Sequence, residues 1–178
     1  GGHHRTPYTW DKERVSSYIR YVDTDNQSHW LFDSFLFLEI MDTGTGGANK
    51  MFAKGYNLES ANQADWTKLI DYYFQSETGI GALDASVKEA SAILGTPRQK
   101  RQIVISIPEP IVYQHPEQAS SSTKYWGKID NQTLDFSNSA DRIKACKWYI
   151  DQVRAKFNEK NYQHVELAGF YWLAEKAT

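Results

Sequence analysis

QIVISIP, residues 102–108, is the stretch on which the fold turns. Its β-branched residues Ile103, Val104, Ile105 and Ile107 favour an extended backbone, and Pro108 ends the run. This is the clearest strand signal in the chain. Just before it, Ile80, Leu83, Val87, Ala90 and Leu94 recur at helical spacing, with Gly95 as the stop and Pro97 behind it. Trp66, Leu69, Ile70, Tyr73 and Phe74 form a second helical stripe further upstream. Earlier still, LFDSFLFLEI at 31–40 reads as a strand buried on both faces, as in a parallel sheet. Asp11 is placed to cap a first helix carrying Val15, Tyr18, Ile19 and Val22, which TDNQS at 24–28 ends.

Downstream of Pro108 the pattern is similar. A long helix is predicted over 139–160, capped by Asn138 or Ser139, and HVELAGFYW at 164–172 is a third strand. The order is helix, strand, helix pair, strand, helix, strand. Alternation of this kind predicts an α/β fold with parallel strands, the pattern of βαβ units. Helix-to-strand turns are short, whereas about 25 residues follow the first strand and about 30 follow the second. In parallel α/β folds the strand C-termini share one face, where sites are built. Two long loops on that face predict a functional surface.

Composition narrows the function. The chain has 178 residues, a net charge of -2 and one Cys. It is long enough to bury a core without disulfide or metal staples. One Cys forms no intrachain disulfide or Cys-rich zinc site, and Cys146 lies on the helical stripe Ile143, Cys146, Ile150, Val153, Phe157 as a small hydrophobe. The near-neutral charge argues against duplex nucleic acid as partner, and no apolar run reaches the ~20 residues of a membrane span. GTGG at 44–47 lacks the Lys-Ser/Thr of a phosphate loop, and no GxSxG elbow occurs. His115 and His164 follow no metal-ligand spacing, so neither metal nor other cofactor is expected. The start at GGHHR, without Met, reads as that of a trimmed piece.

Each predicted strand exit carries a carboxylate. Glu39, with Asp42 beyond, follows the first; Glu109 follows the second, between Pro108 and Pro110; Glu175 lies three residues past Trp172. The flanking prolines fix the direction of Glu109, which suits either a site residue or a rigid turn. Paired carboxylates are the working groups of glycoside hydrolysis. Tyr113, Tyr125, Trp126, Tyr171 and Trp172 lie in or beside the same loops, suited to stacking on sugar rings or to packing beneath a loop.

Several segments together resemble one family. GGHHRTPYTW, RYVD, WLFDSFLFLEI, ALDASVKEASAILG, KRQIVISIPEP and WYIDQVRAKFNEKNYQHVELAGFYWLAE are similar to the bacterial family called domain of unknown function 4855, from Gly1 to Glu175. FDSFLFL and GFYWLAE are the most specific segments. The resemblance implies an exported, glycoside-hydrolase-like protein with a TIM-type barrel, of which residues 1–178 would be a single α/β domain and a fragment of a larger (β/α)8 unit. It places His3, His4 and Arg5 in the loop leaving a preceding strand, on the face of Glu39, Glu109 and Glu175. By fold-level analogy Glu175 is the acid/base. The family commonly has Pro-Tyr-Pro where this chain has Pro108-Glu109-Pro110, which weakens Glu109 as a general catalytic residue.

The resulting expectation is a TIM-barrel-like, partly built α/β protein that hydrolyses glycosidic bonds, secreted or held at the bacterial cell surface or periplasm. Glu175 would be the acid/base, with Glu109 or Glu39 as second carboxylate. His3, His4, Arg5, Asp42, Tyr113, Trp126, Tyr171 and Trp172 would bind the carbohydrate. The alternative is a non-catalytic carbohydrate-binding or scaffold domain. Exposed sheet edges would favour self-association.

Overall fold

The computed structural model describes residues 9–43 and 48–176. Helix α1 spans Lys12–Ile19, with the Asp11 carboxylate accepting the Arg14 N–H at 3.0 Å. The chain then becomes extended at Arg20, earlier than the helical stripe through Val22 predicts. Strands β1 (Arg20–Val22) and β2 (Ser28–Trp30) form an antiparallel hairpin. Asp23 sets its turn by accepting the N–H groups of Asp25 and Gln27. After β3 (Ser34–Phe37), three two-residue strands make a small mixed sheet: β4 (Met41–Asp42), β5 (Lys50–Met51) and β6 (Glu59–Ser60). Helices α2 (Gln63–Tyr73) and α3 (Gly79–Leu94) lead to β7 (Arg101–Ile107). A hairpin of β8 (Lys128–Ile129) and β9 (Gln132–Thr133) precedes α4 (Ser139–Lys160) and β10 (Val165–Trp172).

The central sheet has the order β10-β7-β3, with both pairings parallel. Ile103 and Ile105 of β7 are fully buried, while Gln102 and Val104 alternate with them on the opposite, half-buried face. Phe35 and Phe37 of β3 pack against the same core as Ile103, which also takes in the buried faces of α2, α3 and α4. Trp66 is the hub of its aromatic part. It meets Trp126 edge-on at 5.2 Å and Tyr149 at 5.7 Å between ring centroids. Tyr149 is fully buried and Trp148 only partly, as two adjacent residues on one helix must divide.

Two expectations are corrected here. The first strand covers Ser34–Phe37 rather than 31–40, and it is not buried on both faces, since Ser34 and Leu36 are exposed. The cause is its place at the edge of the sheet. The TIM-barrel-like architecture is also overturned. Among the described residues the fold is mixed α/β, with four α-helices and small sheets that are mostly antiparallel or mixed. Closure needs every strand to find a partner on both sides. Here the parallel sheet stops at β3 and β10, and the other strands of the described residues pair among themselves in three separate sheets. Nor does strand alternate simply with helix: a helix and an antiparallel hairpin precede β3, and three short strands and two helices separate β3 from β7.

One corner depends on glycine. Gly79, at the junction of α2 and α3, has φ of +58°, and a Cβ there would lie 2.6 Å from the Tyr73 carbonyl oxygen.

Candidate functional site

The C-terminal ends of β3 and β7 are covered by the two long segments that follow them, and main-chain bonds sew these together. The Phe52 N–H donates to the Ile40 carbonyl at 2.8 Å, and the Glu109 N–H donates to the Phe52 carbonyl at 2.8 Å. Residue 52 thus lies between the two strand exits, as an inserted strand would. Further along, the Ser60 N–H donates to the Gln114 carbonyl at 2.7 Å and the Gln63 N–H to the Trp126 carbonyl at 2.8 Å.

Three carboxylates are buried in this cover. Glu39, Asp42 and Glu109 are 5%, 4% and 8% exposed. Burial of a carboxylate requires compensation, and two of them illustrate it. Asp42 Oδ2 accepts the Ala48 N–H at 3.1 Å. Glu109 Oε2 accepts the Lys54 N–H at 2.8 Å, while Oε1 lies 3.0 Å from Lys54 Nζ. The prolines on either side of Glu109 hold its backbone, and Lys54 holds its head, so the rigid turn and the oriented carboxylate are the same feature.

A second ionic group lies beside it. Lys50 Nζ is 2.7 Å from Glu59 Oε1 and 3.9 Å from Asp65 Oδ2. Gln114 Nε2 also donates to Glu59, at 3.0 Å. The Lys50 and Gln114 hydrogen bonds hold the Glu59 carboxyl below the usual carboxylate range. Asp65 and Asn62 form a reciprocal capping box at the start of α2. Sequence reasoning missed Lys50, Lys54, Glu59 and Gln114, which have no local pattern. Asn62-x-x-Asp65 is a legible signature of a helix start.

Glu175 sits apart from the buried group. It is exposed, in left-handed backbone at φ +52°, and accepts a hydrogen bond from the Tyr171 hydroxyl. That bond raises the Tyr171 pKa above its ordinary value. Trp172 is half-buried, and its indole N–H donates to the Lys176 carbonyl at 2.8 Å. Ile107 and Trp172 are register partners, so Glu109 and Glu175 leave adjacent strands just beyond a common level. At the level below, Tyr171 is paired with Ser106, whose fully buried hydroxyl has no hydrogen-bond partner among the described residues.

The aromatic residues divide. Tyr113 is half-buried at the edge of the cover. Trp126 is 1% exposed and enclosed by Trp66, Phe136 and Trp148, which leaves no ring face for a ligand. Tyr125 is tied by its hydroxyl to the Ile111 carbonyl at 2.8 Å, and burial pushes its pKa up. His3, His4 and Arg5, and the GTGG stretch, lie outside the described residues. Among the described residues no group of three or more His, Cys, Asp or Glu is arranged to hold a metal ion, and no helix is long and apolar enough to cross a membrane.

Neither a search of curated proteins nor one of solved structures found a match. A family model matches the whole of residues 1–178, and the chain therefore belongs to the family described as Domain of unknown function (DUF4855).

Proposed function

We propose that this protein is a bacterial, glycoside-hydrolase-like protein, secreted or held at the cell surface, that acts on a polysaccharide or glycan at the strand-exit pole. The observation that carries the reading is the gathering of carboxylates there: Glu39, Asp42 and Glu109 buried under one cover, and Glu175 exposed on the adjoining strand exit. Glu175, whose carboxylate oxygen accepts the Tyr171 hydroxyl hydrogen bond, is the acid/base. Glu109, paired with the Lys54 ammonium, is the carboxylate for the second role, and Glu39 is the other candidate for it. Water supplies the oxygen that bonds to the anomeric carbon and gives its proton to the second carboxylate. The glycosidic C–O bond breaks, and the leaving oxygen takes the proton of Glu175. Tyr113, Tyr171 and Trp172 offer partly exposed rings to the sugar, and His3, His4 and Arg5 complete the expected contacts.

Incubation with a panel of polysaccharides, followed by assay of new reducing ends, tests the proposal. Glu175→Gln should abolish turnover and leave binding intact; unchanged turnover sinks the assignment. A second reading, a carbohydrate-binding domain without catalysis, draws on the engagement of both Glu109 carboxylate oxygens by Lys54. Binding without new reducing ends would establish it.

A further inference from the structure

Arg101 is a buried cation at the other pole of the parallel sheet. It opens β7, the central strand, and is 5% exposed. Strands β3 and β10 both flank it, so its surroundings are built by the described residues. Its main-chain N–H donates to the His164 carbonyl at 3.0 Å. Its guanidinium donates to no group among the described residues, and Nε is sealed from solvent without an acceptor. A guanidinium is always charged and carries only donors, so burying it without acceptors is costly. Part of that cost is met by Trp30, whose ring centre lies 4.4 Å from the guanidinium carbon. A ring face attracts the charge but leaves the in-plane N–H groups unfilled. Asp33 of the neighbouring chain is one step before the Ser34–Gln102 pair, level with Arg101. It is exposed, takes the Ser34 hydroxyl at 3.1 Å and forms no ion pair with Arg101 among the described residues. Burial pushes the Arg101 pKa down, and the Asp33 charge opposes that shift.

A second guanidinium flanks the same indole. Arg20 and Trp30 are register partners across the β1–β2 hairpin, so their side chains leave one face of it. Arg20 is half-buried, and its Nη1 donates to the Ser28 hydroxyl at 3.3 Å. It too is in no ion pair among the described residues. Arg98 and Lys100 add positive charge to the approach to β7. We infer that Arg101 and Arg20, with Trp30 between them, form a binding site for an oxyanion, the phosphate, sulfate or carboxylate group of a ligand. The paired N–H groups of a guanidinium match two oxygens of such a group. Trp30 covers a face of Arg101 and so leaves its N–H edge for the anion. The Ser28 hydroxyl, which accepts from Arg20, keeps its own proton to donate. This site lies at the N-terminal ends of the parallel strands, whereas the buried carboxylates lie beyond their C-terminal ends. It is therefore separate from the proposed hydrolytic site and does not rest on it.

Titration calorimetry with sodium phosphate, sodium sulfate and sodium acetate, each at an ionic strength fixed with sodium chloride, tests the inference. At least one of the three anions should bind with one-to-one stoichiometry, and the preferred one distinguishes phosphate-, sulfate- and carboxylate-bearing ligands. Arg101→Gln and Arg20→Gln should each weaken that binding by about tenfold or more, the scale of a lost charge-assisted hydrogen bond. Asp33→Asn should strengthen it, because a like charge beside the anion is removed. Should Arg101→Gln lose the wild-type melting temperature, Arg20→Gln and Asp33→Asn carry the test, since both residues are less buried. Heats no larger than those of sodium chloride for all three anions into the millimolar range overturn the inference. So does binding that Arg20→Gln leaves unchanged, or that Asp33→Asn weakens, which would make Asp33 the partner of Arg101.

Discussion

Lys54 grips Glu109 twice, its main-chain N–H on Oε2 at 2.8 Å and its ammonium 3.0 Å from Oε1. The two residues are 55 positions apart, and the grip ties the cover over the strand exits to the end of β7. The Lys54 side chain is half-exposed while that of Glu109 is nearly buried, so the two halves of the contact differ in worth. Lys54→Ala removes a partly solvated ion pair and should cost no more than about 1 kcal/mol. Glu109→Ala removes both contacts at once, the part-buried main-chain N–H bond included, and should cost about 1–3 kcal/mol. Urea denaturation of the two variants checks the order; an equal or reversed loss would show that the ammonium, not the main-chain bond, carries the contact.

Trp126 should act on stability rather than on ligand binding. Its ring lies 5.5 Å from Phe136 and 5.6 Å from Trp148, besides its contact with Trp66. Trp126→Ala should cost about 3–5 kcal/mol, as for other large aromatic truncations in cores. Trp126→Phe should stay folded and bind polysaccharide as the wild type does. A tenfold loss of binding in that folded variant would return Trp126 to the ligand surface.

Acid should loosen the approach to α4. Asp135 accepts hydrogen bonds from Ser137, whose hydroxyl lies at 2.6 Å, and its carboxyl is held down to about 2 from the ordinary 3.8, chiefly by that side-chain bond. A lowered carboxylate pKa contributes stability that is complete above the unfolded value and is lost as pH falls through the folded one. The loss therefore begins near pH 3.8 and is complete below about 2. Urea midpoints measured at pH 5 and pH 2.5 should differ less for Asp135→Asn than for the wild type. An identical difference would mean that other groups govern the acid limb.

Cys146 should be slow to react. Burial pushes its thiol up to about 12, so little thiolate exists at neutral pH. Alkylation by iodoacetamide at pH 8 should be at least about a hundredfold slower in the native chain than in urea. Equal rates would show the thiol to be open to solvent.

The helices α2, α3 and α4 and the strands β7 and β10 were legible because their signals are local. Leu83 and Val87 report a helix wherever the chain goes, and Ile103 to Ile107 report a strand. Of the two caps the sequence offered for α4, Asn138 or Ser139, the structure uses Asn138, whose side-chain oxygen accepts the Ala140 N–H at 3.0 Å. The carboxylates at the strand exits could also be marked in advance, because the order of strands and helices places them at one pole.

The remainder depended on partners far along the chain. The short strands β4 to β6 exist because Met41 meets Met51 and Met51 meets Ser60, and none of the three announces the others. Trp126 has the same side chain whether it faces a ligand or Trp66, and only packing decides between them. The closure of a barrel is likewise a property of strand partners, not of any segment. By itself the sequence determined α2, α3, α4, β7 and β10, since periodicity and capping act within a few residues. Tertiary structure alone decided that the parallel sheet ends at β3 and β10 and that Glu109 is held by Lys54, because edges and ion pairs form between residues with no local signal of one another.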